Sequence, residues 1–222
     1  MQRLALFDLD GTLLDRDAAF AAWAREFTDS RRLGDGALDW LMAEDTRHGG
    51  PMGGFFANAR ERFGLRASVE ELWGAYRARM PELITCPPEA LAALVAVREA
   101  GWRTAIVTNG RQDVQLAKIR ATGLAESVDA WCVSEEVGVR KPGAGIFRIA
   151  AERCGAELDR GGWMVGDRLS ADIAGGRAVG LRTVWLPGRR ASEQRPAGVV
   201  PDATVASVSE AVRVILAAPD GG

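Results

Sequence analysis

The sequence predicts an α/β protein: a Rossmann-like parallel sheet with helices on both faces, carrying a small all-α domain inserted after its first strand. Three observations lead there. The run Leu4 to Phe7 is apolar and ends abruptly in Asp8-Leu9-Asp10-Gly11-Thr12, the pattern of a buried strand with acids at its exit. From Asp17 to about Ile84 the apolar residues recur with helical periodicity and no strand intervenes. From Pro88 onward helical and apolar strand segments alternate, as repeated βα units around a parallel sheet do.

The insert reads as four helices. Phe20, Trp23, Ala24 and Phe27 fall at i, i+3, i+4 and i+7; Leu38, Leu41 and Met42 make a second stripe. Phe55, Phe56, Ala59 and Phe63 make a third, and Val69, Leu72, Trp73, Tyr76 and Met80 a fourth. Such stripes form the core of a small bundle. Arg47-His48-Gly49-Gly50-Pro51-Met52-Gly53-Gly54 reads as a glycine-rich loop between the second and third helices. Cys86-Pro87-Pro88 marks the return to the core, with Pro88 suited to the first turn of a helix. The expected domains are therefore 1–15 with 87–222, the α/β core, and 16–86, the helical cap.

In the core, a helix through Leu91, Leu94 and Val95 ends near Gly101 and leads to a strand at 104–107. A helix over about 112–122 precedes a strand at 130–133, and one over about 143–154 precedes a strand at 163–165. Another, over about 171–179, precedes a strand at 183–186. A polar loop from Pro187 to Pro201, a short strand at 203–205 and a helix at 209–217 close the chain.

Composition narrows the function. The chain has 222 residues, 47% hydrophobic and 26% charged, enough for one full core plus a modest second domain. A net charge of -2 gives no footprint for nucleic acid or an anionic membrane. No apolar run approaches the ~20 residues of a membrane helix. Met1-Gln2-Arg3 runs straight into the first strand without a signal peptide, so a cytoplasmic protein is expected, monomer or homodimer. Cys86, Cys132 and Cys154 have no CxxC spacing and read as buried thiols. His48 is the sole histidine, which excludes a multi-histidine zinc site and leaves acid–base chemistry to carboxylates or lysine.

The polar residues after successive strands carry the functional signal. The first strand exits into Asp8 and Asp10, the second into Thr108-Asn109-Gly110. The third leads on to Arg140-Lys141-Pro142, and the fourth to Gly166-Asp167, with Asp172 five residues later. Two aspartates at i and i+2 on an extended backbone point the same way and repel unless a proton or cation intervenes. Asp-Gly by itself is a turn signal, but in an open α/β sheet ligands bind beyond the carboxyl ends of strands, where all four groups converge.

In this order, DLDGT (8–12), TNG (108–110), RKP (140–142) and GDRLSAD (166–172) resemble the four motifs of the haloacid dehalogenase superfamily, and the insert resembles its helical cap. The stretch 134–142, SEEVGVRKP, is similar to members that hydrolyse nucleotides, phosphoglycolate or sugar phosphates. The resemblance implies a small phosphorylated metabolite as substrate and an Mg²⁺ cofactor held by Asp8, Asp167 and the Asp10 main-chain carbonyl. Asp172 would act through water or by orienting its neighbours. Beside it, the residues give a mechanism. Asp8 is the expected nucleophile, splitting a difficult hydrolysis through an aspartyl-phosphate, and Asp10 the acid and base for leaving alcohol and water. Thr108 and Lys141 complete the phosphoryl cradle, with Asn109 and Gly110 beside them, because positioning and charge stabilisation carry most of phosphoryl transfer. No GxxxxGK[ST] or GxGxxG occurs.

A phosphomutase would keep the aspartyl-phosphate and shield it from water. A carbon–halogen hydrolase is a further alternative, but the dehalogenases that name the family lack the second aspartate of the first motif, and Asp10 is present. The core motifs touch only the phosphoryl group, so the helical insert is expected to select the substrate, with Arg47 and His48 reading a second anionic or polar group.

Overall fold

The computed structural model describes residues 3–48, 52–188 and 196–218. It divides into two units: Arg16–Ile84, and Met1–Asp15 together with Thr85–Gly222.

The first unit is a four-helix bundle of α1 (Arg16–Arg31), α2 (Ala37–His48), α3 (Met52–Phe63) and α4 (Val69–Leu83). The helices pack in cyclic order, α1 against α2 and α4, α3 against α2 and α4. Rings fill the centre. Trp23 meets Phe56 at 5.6 Å and Tyr76 at 4.9 Å, both near perpendicular, and Phe55 meets Phe56 edge-on at 5.1 Å. Edge-to-face contact suits the ring quadrupoles and adds to the apolar burial. Ser68 caps α4 through a reciprocal box: its hydroxyl accepts from Glu71 N at 3.2 Å and its N–H donates to the Glu71 carboxylate at 2.7 Å. Arg16 forms a two-bond pair with Asp45 at 2.7 and 2.6 Å.

The glycine-rich loop expected at 47–54 is shorter than its composition suggests. Arg47 and His48 belong to the last turn of α2, and Gly53 and Gly54 to the first turn of α3. Residues 49–51 of that stretch lie outside the described residues. Packing against α2 and α4 overrides the low helix propensity of the two glycines.

The second unit holds one parallel sheet of β1 (Leu4–Phe7), β2 (Arg103–Thr108), β3 (Ala130–Val133), β4 (Trp163–Gly166), β5 (Arg182–Trp185) and β6 (Ala203–Thr204), in the order β3-β2-β1-β4-β5-β6. Every residue of β1 is fully buried, so both faces of the sheet are covered, as an all-parallel sheet requires. The helices are α5 (Pro88–Glu99), α6 (Gln112–Ala121), α7 (Leu124–Ser127), α8 (Ser134–Val137), α9 (Ala144–Arg153), α10 (Ala174–Ala178) and α11 (Val208–Ala217). On one face Leu4, Leu6, Ala105, Val107 and Met164 pack with Ile146, Phe147, Ala150 and Ala151 of α9. Two aspartates pin strand starts: Asp129 Oδ2 accepts from Thr104 N at 2.8 Å, and Asp202 Oδ2 from Thr183 N at 2.8 Å. The single-turn helices α7 and α8 and a 3₁₀ turn at Leu158–Arg160 lie in stretches too short for periodicity to reveal.

One expected helix has a different start. In place of a helix from 171, a π turn runs over Leu169–Ile173 and α10 follows it. Cys132 and Cys154 are buried, whereas Cys86 is only half-buried. Among the described residues, no single helix is long and apolar enough to cross a membrane.

Phe56 is fully buried at the centre of the ring cluster. Phe56→Ala is expected to destabilise the helical unit by about 3–5 kcal/mol, the usual loss for a truncated core aromatic. Urea unfolding followed by tryptophan fluorescence measures it; a loss under about 1 kcal/mol would show that the cluster is not the core of that unit.

Candidate active site

The strand order reverses between β1 and β4, where chain connections diverge to opposite sides and leave a crevice beyond the carboxyl ends. Asp8 follows β1 and Asp167 follows β4. The Asp8 N–H donates to Val165 O at 2.9 Å, so the sheet ladder continues to the acid. Asp167 is held from the next strand: the Trp185 indole Nε1–H donates to its main-chain oxygen at 2.9 Å. Gly11 lies in the left-handed region at φ 86, and a Cβ there would stand 2.7 Å from Asp167 Oδ2. Only glycine admits both the turn and the close carboxylate.

Asp172 arrives through the π turn. Ile173 N–H donates back to Arg168 O at 3.2 Å, and Arg168 N–H donates to Asp172 Oδ2 at 3.0 Å. The widened turn brings the third carboxylate in: one oxygen from each of Asp8, Asp167 and Asp172 lies within 4.8 Å of the others. Their exposures are 7%, 5% and 1%. π turns inside helices often mark functional sites.

Lys141 enters the same space. Its Nζ donates to Asp8 Oδ1 at 2.5 Å and to Val107 O at 2.6 Å, and stands 2.6 Å from Asp172 Oδ1. Asn109 holds its main chain: the Asn109 Oδ1 accepts from Lys141 N at 2.8 Å and its Nδ2 donates to Lys141 O at 3.0 Å. Asn109 thus braces Lys141, a use the sequence did not suggest. Burial, only partly opposed by Lys141 and reinforced by Asp172 and Asp167, lifts the Asp8 pKa well above the usual carboxylate range. Burial also works against the Lys141 ammonium, but Asp172 and Asp8 outweigh it and raise its pKa.

Asp10 is placed differently from the three clustered acids. Lys118 Nζ donates to both its oxygens at 2.8 Å, and Gln115 Nε2 donates to Oδ2 at 2.9 Å. Gln115 also donates to the Thr108 hydroxyl at 2.6 Å, joining two predicted residues. Gly110 N–H donates to Ser134 Oγ at 3.0 Å. Gln115 and Lys118 escaped the sequence reading because polar residues at i and i+3 on a helix ordinarily face water. Their signal is that buried Val114 and Ile119 share their face of α6.

In the helical unit, Arg47 and His48 both turn toward Glu44, itself only 2% exposed. Arg47 pairs directly with it, His48 Nδ1 lies 3.9 Å away, and Asn58 Nδ2 donates to it at 2.7 Å. The expected cationic pair is therefore engaged by a buried carboxylate of its own helix.

The core cluster suits a hard cation. Its donors are carboxylate oxygens only, the set Mg²⁺ prefers. Three carboxylates share this space with one lysine, Lys141, which touches Asp8 and Asp172, so a divalent cation would offset charge that the lysine does not.

Comparison with known proteins agrees with this geometry. Residues 2–180 match the model of the haloacid dehalogenase-like hydrolases. Pyrimidine 5′-nucleotidase YjjG of Escherichia coli is 37% identical over 152 residues, 68% of this chain and 66% of that protein. Phosphoserine phosphatase of Thermus thermophilus is 34% identical over 183 residues, 78% of this chain and 70% of that one. The chain thus spans about two thirds of the length of these relatives. The magnesium-bound structure of HAD-hydrolase YfnB from Bacillus subtilis superposes with a TM-score of 0.79 at 23% identity, covering 96% of this chain and 98% of that one. A parallel sheet carrying the four motifs in order, and a family match over most of its length, make this chain a member of the haloacid dehalogenase-like hydrolase family.

Proposed function

We propose that the protein is an Mg²⁺-dependent phosphomonoester hydrolase acting on a small phosphorylated metabolite. The observation that carries this reading is the convergence of Asp8, Asp167 and Asp172 oxygens within 4.8 Å, with Lys141 Nζ 2.5 Å from Asp8. Two relatives named for phosphomonoester substrates, a nucleotide and phosphoserine, support the same class.

In the proposed reaction Asp8 attacks phosphorus, and the bond to the alcohol oxygen breaks as the aspartyl-phosphate forms. Asp10 enters protonated and gives that proton to the departing oxygen. As the carboxylate it then takes one from the water that attacks phosphorus, and the bond from phosphorus to Asp8 breaks to release inorganic phosphate and restore Asp8. Lys141 holds Asp8 Oδ1 and balances charge on the transferring group. Thr108 completes the cradle, with its hydroxyl oriented by Gln115, and Gly110 stands beside it with its N–H held by Ser134. Asp8, Asp167 and the Asp10 main chain would hold Mg²⁺, with Asp172 setting their orientation and that of Lys141. The ion, when bound, supplies Lewis-acid neutralisation of phosphoryl oxygens.

The helical unit, rather than these core residues, is proposed to choose the leaving group, with Arg47 and His48, both beside Glu44, meeting a polar group of the substrate. A phosphomutase is the second reading, since it needs the same Asp8 and Asp10 and differs in excluding water.

Asp8→Asn is expected to abolish hydrolysis of p-nitrophenyl phosphate while the protein stays folded, because the change is isosteric and relieves repulsion with Asp167 and Asp172. A well-folded mutant with a substantial share of the wild-type rate would overturn the nucleophile assignment. Chelation by EDTA is expected to silence the enzyme and Mg²⁺ to restore it, with Ca²⁺ a poor substitute because its looser, higher coordination misplaces the phosphoryl oxygens. Full phosphate release after exhaustive chelation would refute the metal requirement.

A further inference from the structure

Two buried polar residues of α6 have no part in the four motifs. Lys118 is 6% exposed and Gln115 2%. Burying an ammonium is costly unless it is paired, and burying a carboxamide is costly unless it is hydrogen-bonded. Both are satisfied by one partner, the Asp10 carboxylate: Lys118 Nζ reaches Oδ1 and Oδ2 at 2.8 Å each, and Gln115 Nε2 reaches Oδ2 at 2.9 Å. The same Gln115 Nε2 donates to Thr108 Oγ1 at 2.6 Å. The motif glycine leaves room for it, since a Cβ on Gly110 would meet Gln115 Cγ and Cδ at 2.9 Å. Thr108 itself is 1% exposed. One turn of α6, from Gln115 to Lys118, therefore links the exits of β1 and β2.

We infer that Lys118 and Gln115 are positioning residues for the proposed hydrolysis: they fix the Asp10 carboxylate at the angle from which it exchanges a proton with the leaving oxygen. The inference rests on the phosphatase reading for its chemistry and on the hydrogen bonds for its geometry. An ammonium contacting both oxygens stops rotation about the terminal torsion, which is otherwise broad. Gln115 then couples that orientation to the Thr108 hydroxyl, so that one side chain orders a proton-transfer group and a phosphoryl ligand together. Lys118 also offsets the charge Asp10 brings to a rim already holding three acids.

Leaving-group dependence tests this, because proton donation matters most when the departing alcohol is a poor leaving group. The values of kcat/KM for phenyl phosphate and p-nitrophenyl phosphate are compared between wild type and Lys118→Met with Mg²⁺ present. This ratio covers the steps through alcohol departure and omits hydrolysis of the intermediate. The loss is expected to be about tenfold or more greater for phenyl phosphate, a modest part of what general acid catalysis supplies. Equal losses on both substrates, or none on either, would overturn the inference. A crystal structure of Lys118→Met decides it independently of activity: the Asp10 carboxylate is expected to leave its place beside Gln115, and its retention there would overturn the positioning role. Failure of the wild type to release phosphate from either substrate would count against the phosphatase reading alone, leaving the crystal structure to judge the strut.

Discussion

Burying Asp8, Asp167 and Asp172 with oxygens within 4.8 Å of one another is the constraint to which the surrounding structure answers. At about 4 Å and an effective dielectric of about 20, each pair of full charges repels by about 4 kcal/mol. Three such pairs rival the whole folding stability of a typical domain, about 5–15 kcal/mol. The repulsion is met by one lysine that touches two of the three acids, and the Asp8 pKa stays raised, chiefly by burial and then by Asp172 and Asp167. A divalent cation would offset the remainder, which is the physical reason the proposed metal requirement suits this geometry.

The cluster is held from four sides by main-chain and side-chain contacts that do no chemistry. The ladder bond from Asp8 N to Val165 O, the Trp185 indole on Asp167 O, the Arg168 N–H on Asp172 and the Asn109 clamp on Lys141 each fix one member. Preorganised charge is effective in phosphoryl transfer because little reorganisation remains when the reaction occurs. The strand order supplies the rest. Only at the reversal between β1 and β4 do two strand exits face a common crevice with no connection crossing it.

What the sequence disclosed follows from how local each signal is. The strand at Ala130–Val133 matches its expected limits and Trp163–Gly166 differs by one residue, because fully buried parallel strands are uninterrupted apolar runs. The bundle stripes were equally plain, since Phe20, Trp23 and Phe27 repeat at core spacing. The acids were legible as strand exits. The π turn was not, because it depends on how Arg168 O is shared between Asp172 N and Ile173 N, a choice set by packing. Nor was the use of Asn109 or of Arg47 and His48, whose partners Lys141 and Glu44 follow from side-chain directions that spacing alone does not fix. Lys118 lies 108 positions from Asp10, and no local pattern connects them.

That distant pair bears on which chemistry the rim performs. A halide leaves a carbon centre as a stable anion and needs no proton, so a carbon–halogen hydrolase has no use for an acid at Asp10. An alkoxide leaving phosphorus needs one, and the later attack by water needs a base at the same place. Here the chain sets two otherwise unfavourable burials, an ammonium and a carboxamide, against the Asp10 carboxylate, which stands outside the cluster of Asp8, Asp167 and Asp172. Such an arrangement fits the proposed phosphate-ester chemistry, in which both half-reactions use the group, better than dehalogenation, in which only the water that hydrolyses the ester intermediate needs a base. A phosphomutase shares that reason, since it too must protonate and deprotonate a sugar oxygen. The division between hydrolase and mutase therefore falls to whether water or a sugar hydroxyl meets the phosphoryl group on Asp8.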